Sequence, residues 1–269
     1  MPLLLVPILS LLVNGYIARL LLYRLDVRLS FYEWYGLAVA NSLGNYLPIP
    51  QAGAVARAVY LRKVHRLNYH RFAASLLVTY ISAVALYGVT GLVCLGAMSA
   101  QGNSCPIFLW FIFAALASSS MFLTPVATMV PLPKSLLPIR EGLSALIGYT
   151  QLLKIVFLQL ILICLTTSGL WLACKAMQTG SAVSWPTALV MGLLLLASGI
   201  INVTPGNIGI EQATTEVTAR LLRIAPNIGF LASSIFRVVS ALVVIAISPV
   251  FIPLMKRMNR ADNPSDLQQ

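Results

Sequence analysis

An uninterrupted apolar run, residues 72 to 98, limits most strongly what this chain can fold into. The run contains no charged residue, and it is longer than the roughly 20 residues that a helix needs to cross a bilayer. A backbone in hydrocarbon has no water to bind, so such a segment satisfies its hydrogen bonds as a helix. Hydrophobic residues make up 59% of the chain, charged residues 9%, and the mean hydropathy is +0.88. The sequence therefore predicts an all-α, polytopic membrane helix bundle.

Basic loops between the apolar runs predict how the chain is threaded through the membrane. Arg24 and Arg28 follow the first run, and a basic cluster spans residues 62 to 71. Because cytoplasmic loops are enriched in Lys and Arg, we expect these loops and the C-terminus to be cytoplasmic. We predict a single transmembrane domain over residues 1–258 and a polar cytoplasmic tail over 259–269. The other predicted membrane segments are residues 2–23, 31–47, 108–130, 146–172, 186–201, 208–223 and 228–254.

A break in the second half interrupts the apolar pattern between residues 202 and 212. Pro205 ends the incoming helix, and Gly206 and Gly209 allow the backbone to approach a ligand closely. A helix that restarts near Asn207 would direct its free N–H groups into the membrane, which suits an anionic headgroup. The alternative is a helix–loop–helix at the membrane edge, with Asn207 as N-cap. The polar residues of this stretch are Asn202, Asn207, Glu211 and Gln212.

A similar break interrupts the first half. The apolar run over residues 31–47 is short for a span and is stopped by Pro48 and Pro50. A helix then restarts before Gly53 and continues into the basic cluster. Because both flanks lie on the basic side, we predict a re-entrant hairpin that enters from the cytoplasm.

The two breaks predict an inverted repeat. The pattern of residues 1–98 predicts a span, a hairpin that enters from the cytoplasmic side, and a second span. The pattern of residues 146–256 predicts the same order with a hairpin that enters from the external side. Residues 108–130 link the two units. Interrupted segments at matching places of inverted units indicate a midplane transport site. The alternative is a chance similarity between two helix breaks. The matching residues are Asn45, Pro48 and Gly53 in one unit, and Asn202, Pro205 and Gly209 in the other.

Three ionisable residues at membrane depth, Arg57, Glu211 and Arg237, are candidates for a headgroup site. Charges in a bilayer are costly and usually face a cavity or a partner, and Arg can bind phosphate with two hydrogen bonds. The alternatives are an ion pair between Arg237 and Glu211 and interfacial snorkelling of Arg57. The full candidate set is Arg57, Arg237, Glu211, Gln212, Asn45, Asn202 and Asn207.

The composition argues against other classes of function. The net charge of +11 comes from short clusters between helices, and no soluble domain is present to hold nucleic acid. The four cysteines lack metal-ligand spacing, so we expect no metal and no cofactor. Seven acidic residues and two histidines form no catalytic constellation in the sequence, so we expect no catalytic residues and no enzyme activity.

One set of motifs resembles a known family. The set consists of Leu47-Pro48, Gly53, Arg57 and Leu61, followed by Pro205-Gly-Asn-Ile-Gly209 and Arg237. It resembles the transmembrane region of lysylphosphatidylglycerol synthases and their stand-alone flippase-like relatives. The resemblance implies a multi-pass protein of a bacterial or archaeal cytoplasmic membrane, with re-entrant helices, that handles phospholipids or lipid-linked intermediates. We expect no synthase activity, because the aminoacyl-transferase domain has no counterpart after Leu254.

The chain departs from the family pattern at its acidic positions. Ala54 stands where relatives carry an acid, and Gln212 takes the place of the acid in the second motif, with Glu211 one position earlier. We expect a flippase-like protein that translocates or handles an anionic phospholipid or lipid-linked envelope precursor. The alternative is a non-transporting scaffold or accessory subunit that assists enzymes of envelope lipid or polysaccharide synthesis. The two hypotheses differ in whether the breaks meet around a polar pocket.

Overall fold

The computed structural model describes residues 2–47, 49, 51–122, 146, 148–177, 183–200, 207 and 209–261, and within them it contains helices and no strands. The all-α prediction is confirmed. We number the α-helices in chain order. They are α1 (Pro2–Tyr23), α2 (Phe31–Asn45), α3 (Ala52–His65), α4 (Tyr69–Ala100), α5 (Ile107–Ser118), α6 (Tyr149–Ala176), α7 (Trp185–Ile200), α8 (Ile210–Leu221) and α9 (Pro226–Ala261).

Four of these helices are long and apolar enough to cross a membrane: α1, α4, α6 and residues Pro226–Met255 of α9. The prediction of a multi-pass membrane protein is confirmed at this level. Helices α5 and α7 are apolar but shorter. Of the predicted linking span, residues 123–130 lie outside the described residues. Helix α9 continues to Ala261, into the predicted tail, whose remaining residues also lie outside the described part.

The first break joins α2 to α3 in a tight helical hairpin. Helix α3 begins after Gln51, whose φ of 55° is left-handed and therefore ends any continuous helix. The two helices touch through backbone, since a Cβ built on Gly44 would lie 2.6 Å from the Cα of Gly53. A larger residue at either position would push the helices apart. Pro48 and Pro50, which we predicted to stop α2, lie outside the described residues.

The second break places the start of α8 later than the sequence suggested. We predicted a restart near Asn207, but its φ of 62° and the φ of 89° at Gly209 are both left-handed, so the helix begins at Ile210. The Gly209 N–H donates to Oε1 of Gln212 at 2.9 Å, which caps the helix start. Gln212 is thus a buried capping residue. Asn202, Pro205 and Gly206 lie outside the described residues.

The helices pack in matching pairs. Helices α1, α2, α3 and α4 correspond, in this order, to α6, α7, α8 and α9. Wherever two of these helices pack together, their two counterparts also pack together, and α1 packs against its own counterpart α6. For example, α2 packs against α9 and α7 packs against α4. Helix α5 lies outside this scheme and packs against α4. Among the described break residues, Tyr46 of the first break and Asn207 of the second line the same pocket.

We predict that Gly53→Ala destabilises the protein. Its new Cβ would overlap the carbonyl oxygen of Asn41, and overpacking of this kind costs about 1 to 3 kcal/mol. The measurement is the free energy of unfolding in detergent micelles. Gly96→Ala is the matched control, because the nearest atom to its Cβ is a ring carbon of Trp110 at 3.9 Å. A Gly53→Ala variant as stable as the Gly96→Ala variant would show that the hairpin tolerates a wider spacing.

Candidate functional site

A polar cavity lies at the centre of the bundle. Its volume is about 440 Å³, and its lining comes from every helix except α5. Apolar side chains such as Leu11, Leu162 and Phe236 form part of the wall. The cavity is therefore amphipathic, as a site for a lipid headgroup would be. Six of its polar lining residues are Asn41, Asn45, Arg57, Asn207, Glu211 and Arg237.

The cavity brings together residues from both breaks. Asn45 and Arg57 come from the first hairpin, and Asn207 and Glu211 come from the second break, with Arg237 beside them on α9. Their side chains were predicted to share one site, and the structure places all five in one cavity. Gln212 is not among the lining residues. Asn202 lies outside the described residues.

Glu211 and Arg237 form an ion pair inside the cavity wall. Nη1 of Arg237 donates to Oε2 of Glu211 at 3.0 Å, and the side chains are 13% and 22% exposed, respectively. The pair forms because α8 packs along α9, which places Glu211 in the first turn of α8 beside Arg237 in the first third of α9. This ion pair was the alternative expected from the sequence, and the structure shows it. The charge of Arg237 is therefore already compensated within the protein.

Arg57 has no such partner among the described residues. Its side chain lines the cavity, its Nε is buried without a hydrogen-bond partner, and no carboxylate lies within ion-pair distance. Its guanidinium carbon lies 5.8 Å from the ring centre of Phe72, a cation–π contact. Such a contact offsets only part of the cost of removing a charge from water. Among the described residues, Arg57 is thus a cation in the cavity wall without an anionic partner.

Two buried amides brace the cavity, and the sequence analysis missed one of them. Nδ2 of Asn207 donates to the Ser198 carbonyl at 3.0 Å, and Nε2 of Gln159 donates to the Thr79 carbonyl at 3.1 Å. These bonds tie the second break to α7 and tie α6 to α4. They also leave the amide oxygens of both side chains buried without a donor among the described residues. The signal for Gln159 was a polar residue inside an otherwise apolar run.

A second polar cluster, also missed, closes the open end of the first hairpin. Oε1 of Glu33 accepts from the Tyr60 hydroxyl at 3.1 Å and lies 3.2 Å from Nε2 of His65. Burial opposes ionisation of Glu33, but the hydrogen bonds from His65 and the Ser30 N–H lower its pKa to about 2. Glu33 lies outside the four spans and is ionised at neutral pH. The cluster was invisible in the sequence because Tyr60 and His65 are distant from Glu33 along the chain.

The described part of the chain contains no group of three or more His, Cys, Asp or Glu side chains that could hold a metal ion. The cavity wall instead offers a guanidinium, an ion pair, amides and hydroxyls. These groups can bind and orient an anionic headgroup by charge and hydrogen bonding. The absence of enzyme activity stays a prediction.

Comparison with known proteins identifies one family. The family model described as lysylphosphatidylglycerol synthase TM region matches residues 1–248 of the 269-residue chain. The match covers α1 to α8 and most of α9, and so includes both breaks. It also includes the five predicted site residues that line the cavity, Asn45, Arg57, Asn207, Glu211 and Arg237. No curated protein and no solved structure matches the chain.

We predict that Arg237→Gln is more destabilising than the double variant Glu211→Gln/Arg237→Gln. The single variant leaves a buried carboxylate without its partner, which costs about 3 kcal/mol, whereas the double variant removes both charges. The measurement is the free energy of unfolding in detergent micelles.

The matched control for this prediction is the exposed pair of Glu216 and Arg220 on α8, whose nearest charged atoms are 3.6 Å apart. The same substitutions at that pair should change the stability by less than about 1 kcal/mol. Equal stability of the single and double cavity variants would mean that the ion pair does not couple α8 to α9.

Proposed function

Because the chain belongs to the lysylphosphatidylglycerol synthase TM region family, which indicates an integral membrane protein of lipid or envelope metabolism, we propose that it translocates an anionic lipid headgroup. The substrate would be a phospholipid or a lipid-linked envelope precursor. The observation that carries the proposal is Arg57, which lines a cavity that both helix breaks also line and which has no acidic partner in the described part of the chain. An anionic headgroup supplies the missing charge.

The energetics of Arg57 favour a phosphate ligand. A cation removed from water costs several kcal/mol unless it is paired, so an anion that enters the cavity recovers part of this cost. The planar guanidinium can donate two parallel hydrogen bonds to the oxygens of one phosphate. Asn41 and Asn45, which also line the cavity, are placed to provide further hydrogen bonds. Arg237 adds positive potential but shares its charge with Glu211.

The paired packing of the helices supports alternating access. We interpret α1–α4 and α6–α9 as two inverted units, with α2–α3 and α7–α8 as their re-entrant hairpins. The exchange of packed pairs described above is what such a repeat would produce. A substrate site between the units is then exposed to one leaflet or the other when one unit rocks against its counterpart. The proposed orientation has the C-terminus in the cytoplasm, because Lys256, Arg257 and Arg260 follow the last span in the sequence.

A scaffold subunit is the second candidate function. A scaffold for envelope-synthesis enzymes needs neither an internal cavity nor a cation without a partner. The cost of keeping Arg57 at this site has no explanation under that hypothesis. The cavity therefore favours transport across the bacterial or archaeal cytoplasmic membrane over scaffolding.

We predict that Arg57→Gln slows headgroup translocation about tenfold or more. Hydrogen bonds to a charged group contribute about 1.5 to 3 kcal/mol, and 1.4 kcal/mol corresponds to a factor of ten. The measurement is the rate at which fluorescent phosphatidylglycerol becomes accessible to a membrane-impermeant quencher in liposomes that contain the protein. Arg57→Lys should recover part of the rate, because it keeps the charge and loses the two-point geometry.

The control for translocation is Arg220→Gln, which removes an exposed arginine from α8 outside the cavity. This variant should translocate at the rate of the unmodified protein. Unchanged rates in Arg57→Gln, with correct folding shown by gel filtration, would remove Arg57 from the mechanism and favour the scaffold.

A further inference from the structure

The formal charge of the cavity limits which anionic headgroups can bind. This inference rests on the proposed function and specifies the charge of its substrate. Among the described lining residues, the charged side chains are Arg57, Arg237 and Glu211, so one net positive charge remains. We infer that the cavity selects a phosphodiester headgroup with one net negative charge.

The selection follows from the cost of net charge in a poorly solvated site. Glu211 and Arg237 neutralise each other at 3.0 Å, so Arg57 alone requires a counter-charge. A ligand with one negative charge makes the filled cavity neutral. A ligand with two negative charges gives the filled cavity a net charge of minus one. A zwitterion gives it a net charge of plus one, because the charge of Arg57 stays uncompensated. Uncompensated charges interact far more strongly in a protein interior than in water, so both alternatives are disfavoured.

Phosphate chemistry distinguishes these ligands. A phosphodiester shares one negative charge between two terminal oxygens, which match the two donors of a guanidinium edge. A phosphomonoester loses its second proton near pH 6, so it carries almost two charges at pH 8. A choline or ethanolamine headgroup cancels the phosphate charge with its own cation. The favoured class is a diester whose second substituent is uncharged, such as a glycerol or a sugar.

The test is a competition among three synthetic lipids with identical acyl chains. The full chain in a non-ionic detergent at pH 8 is mixed with equal amounts of phosphatidylglycerol, phosphatidic acid and phosphatidylcholine, and the retained lipids are counted by native mass spectrometry. We expect about tenfold more phosphatidylglycerol than either competitor to be retained, because each competitor leaves one uncompensated charge in the cavity. A tenfold ratio corresponds to about 1.4 kcal/mol.

Variants that change the charge of the cavity make the inference specific. Glu211→Gln raises the net charge to two positive and should shift the preference towards phosphatidic acid about tenfold. Arg57→Gln lowers the net charge to zero and should remove the preference for phosphatidylglycerol over phosphatidylcholine. Glu216→Gln is the matched control, because it deletes a carboxylate from the same helix at an exposed position, where Glu216 pairs with Arg220. It should leave all three ratios unchanged.

The outcomes separate this inference from the proposed function. Equal retention of the three lipids, or the same ratios in Glu211→Gln and Glu216→Gln, overturns the charge selection, while Arg57-dependent translocation in liposomes would still stand. If Glu211→Gln does not fold, Arg57→Gln decides, and an unchanged preference for phosphatidylglycerol in that variant overturns the inference. Loss of selectivity together with Arg57-independent translocation overturns both proposals.

Discussion

The inability of hydrocarbon to solvate polar groups is the constraint on which this structure depends. Each charge and amide in the bundle must find its partner within the protein or in a shared cavity. Glu211 and Arg237 meet this requirement across α8 and α9, and Gln159 meets it by bonding to α4. Arg57 has no acidic partner among the described residues and meets the requirement only by lining the cavity. Cations at membrane depth mark substrate and ion pathways.

The helical class and most helix positions could be predicted from the sequence, because the signals are local. Apolar runs separated by basic loops predicted the four long helices, and prolines and glycines marked the breaks. Arg57, Asn207 and Arg237 were predicted to share one site, and all three line the cavity. The insertion of the two breaks from opposite sides of the membrane stays a prediction. Charge at membrane depth was the strongest single indicator of the site.

Other features depend on which residues come into contact in the folded protein. These contacts could not be predicted from local sequence patterns. The start of α8 was predicted near Asn207, but Asn207 and Gly209, two positions apart, both adopt a left-handed conformation, and the helix begins at Ile210. Gln212 matched a family motif position, but its amide caps the helix. Glu33 was not among the predicted site residues, because its partners Tyr60 and His65 belong to α3, the other helix of the hairpin.

The hairpin of α2 and α3 is fastened at both ends. Near its tip, Gly44 and Gly53 put backbone against backbone, and at its base Glu33 bonds to Tyr60 and contacts His65. Backbone contact near the tip and the bonds of Glu33 at the base hold the two helices at a fixed spacing. Under the proposed function, α2 and α3 would move as one unit that carries Arg57. A change in access to the cavity would then take place where this unit packs against α1, α4 and α9.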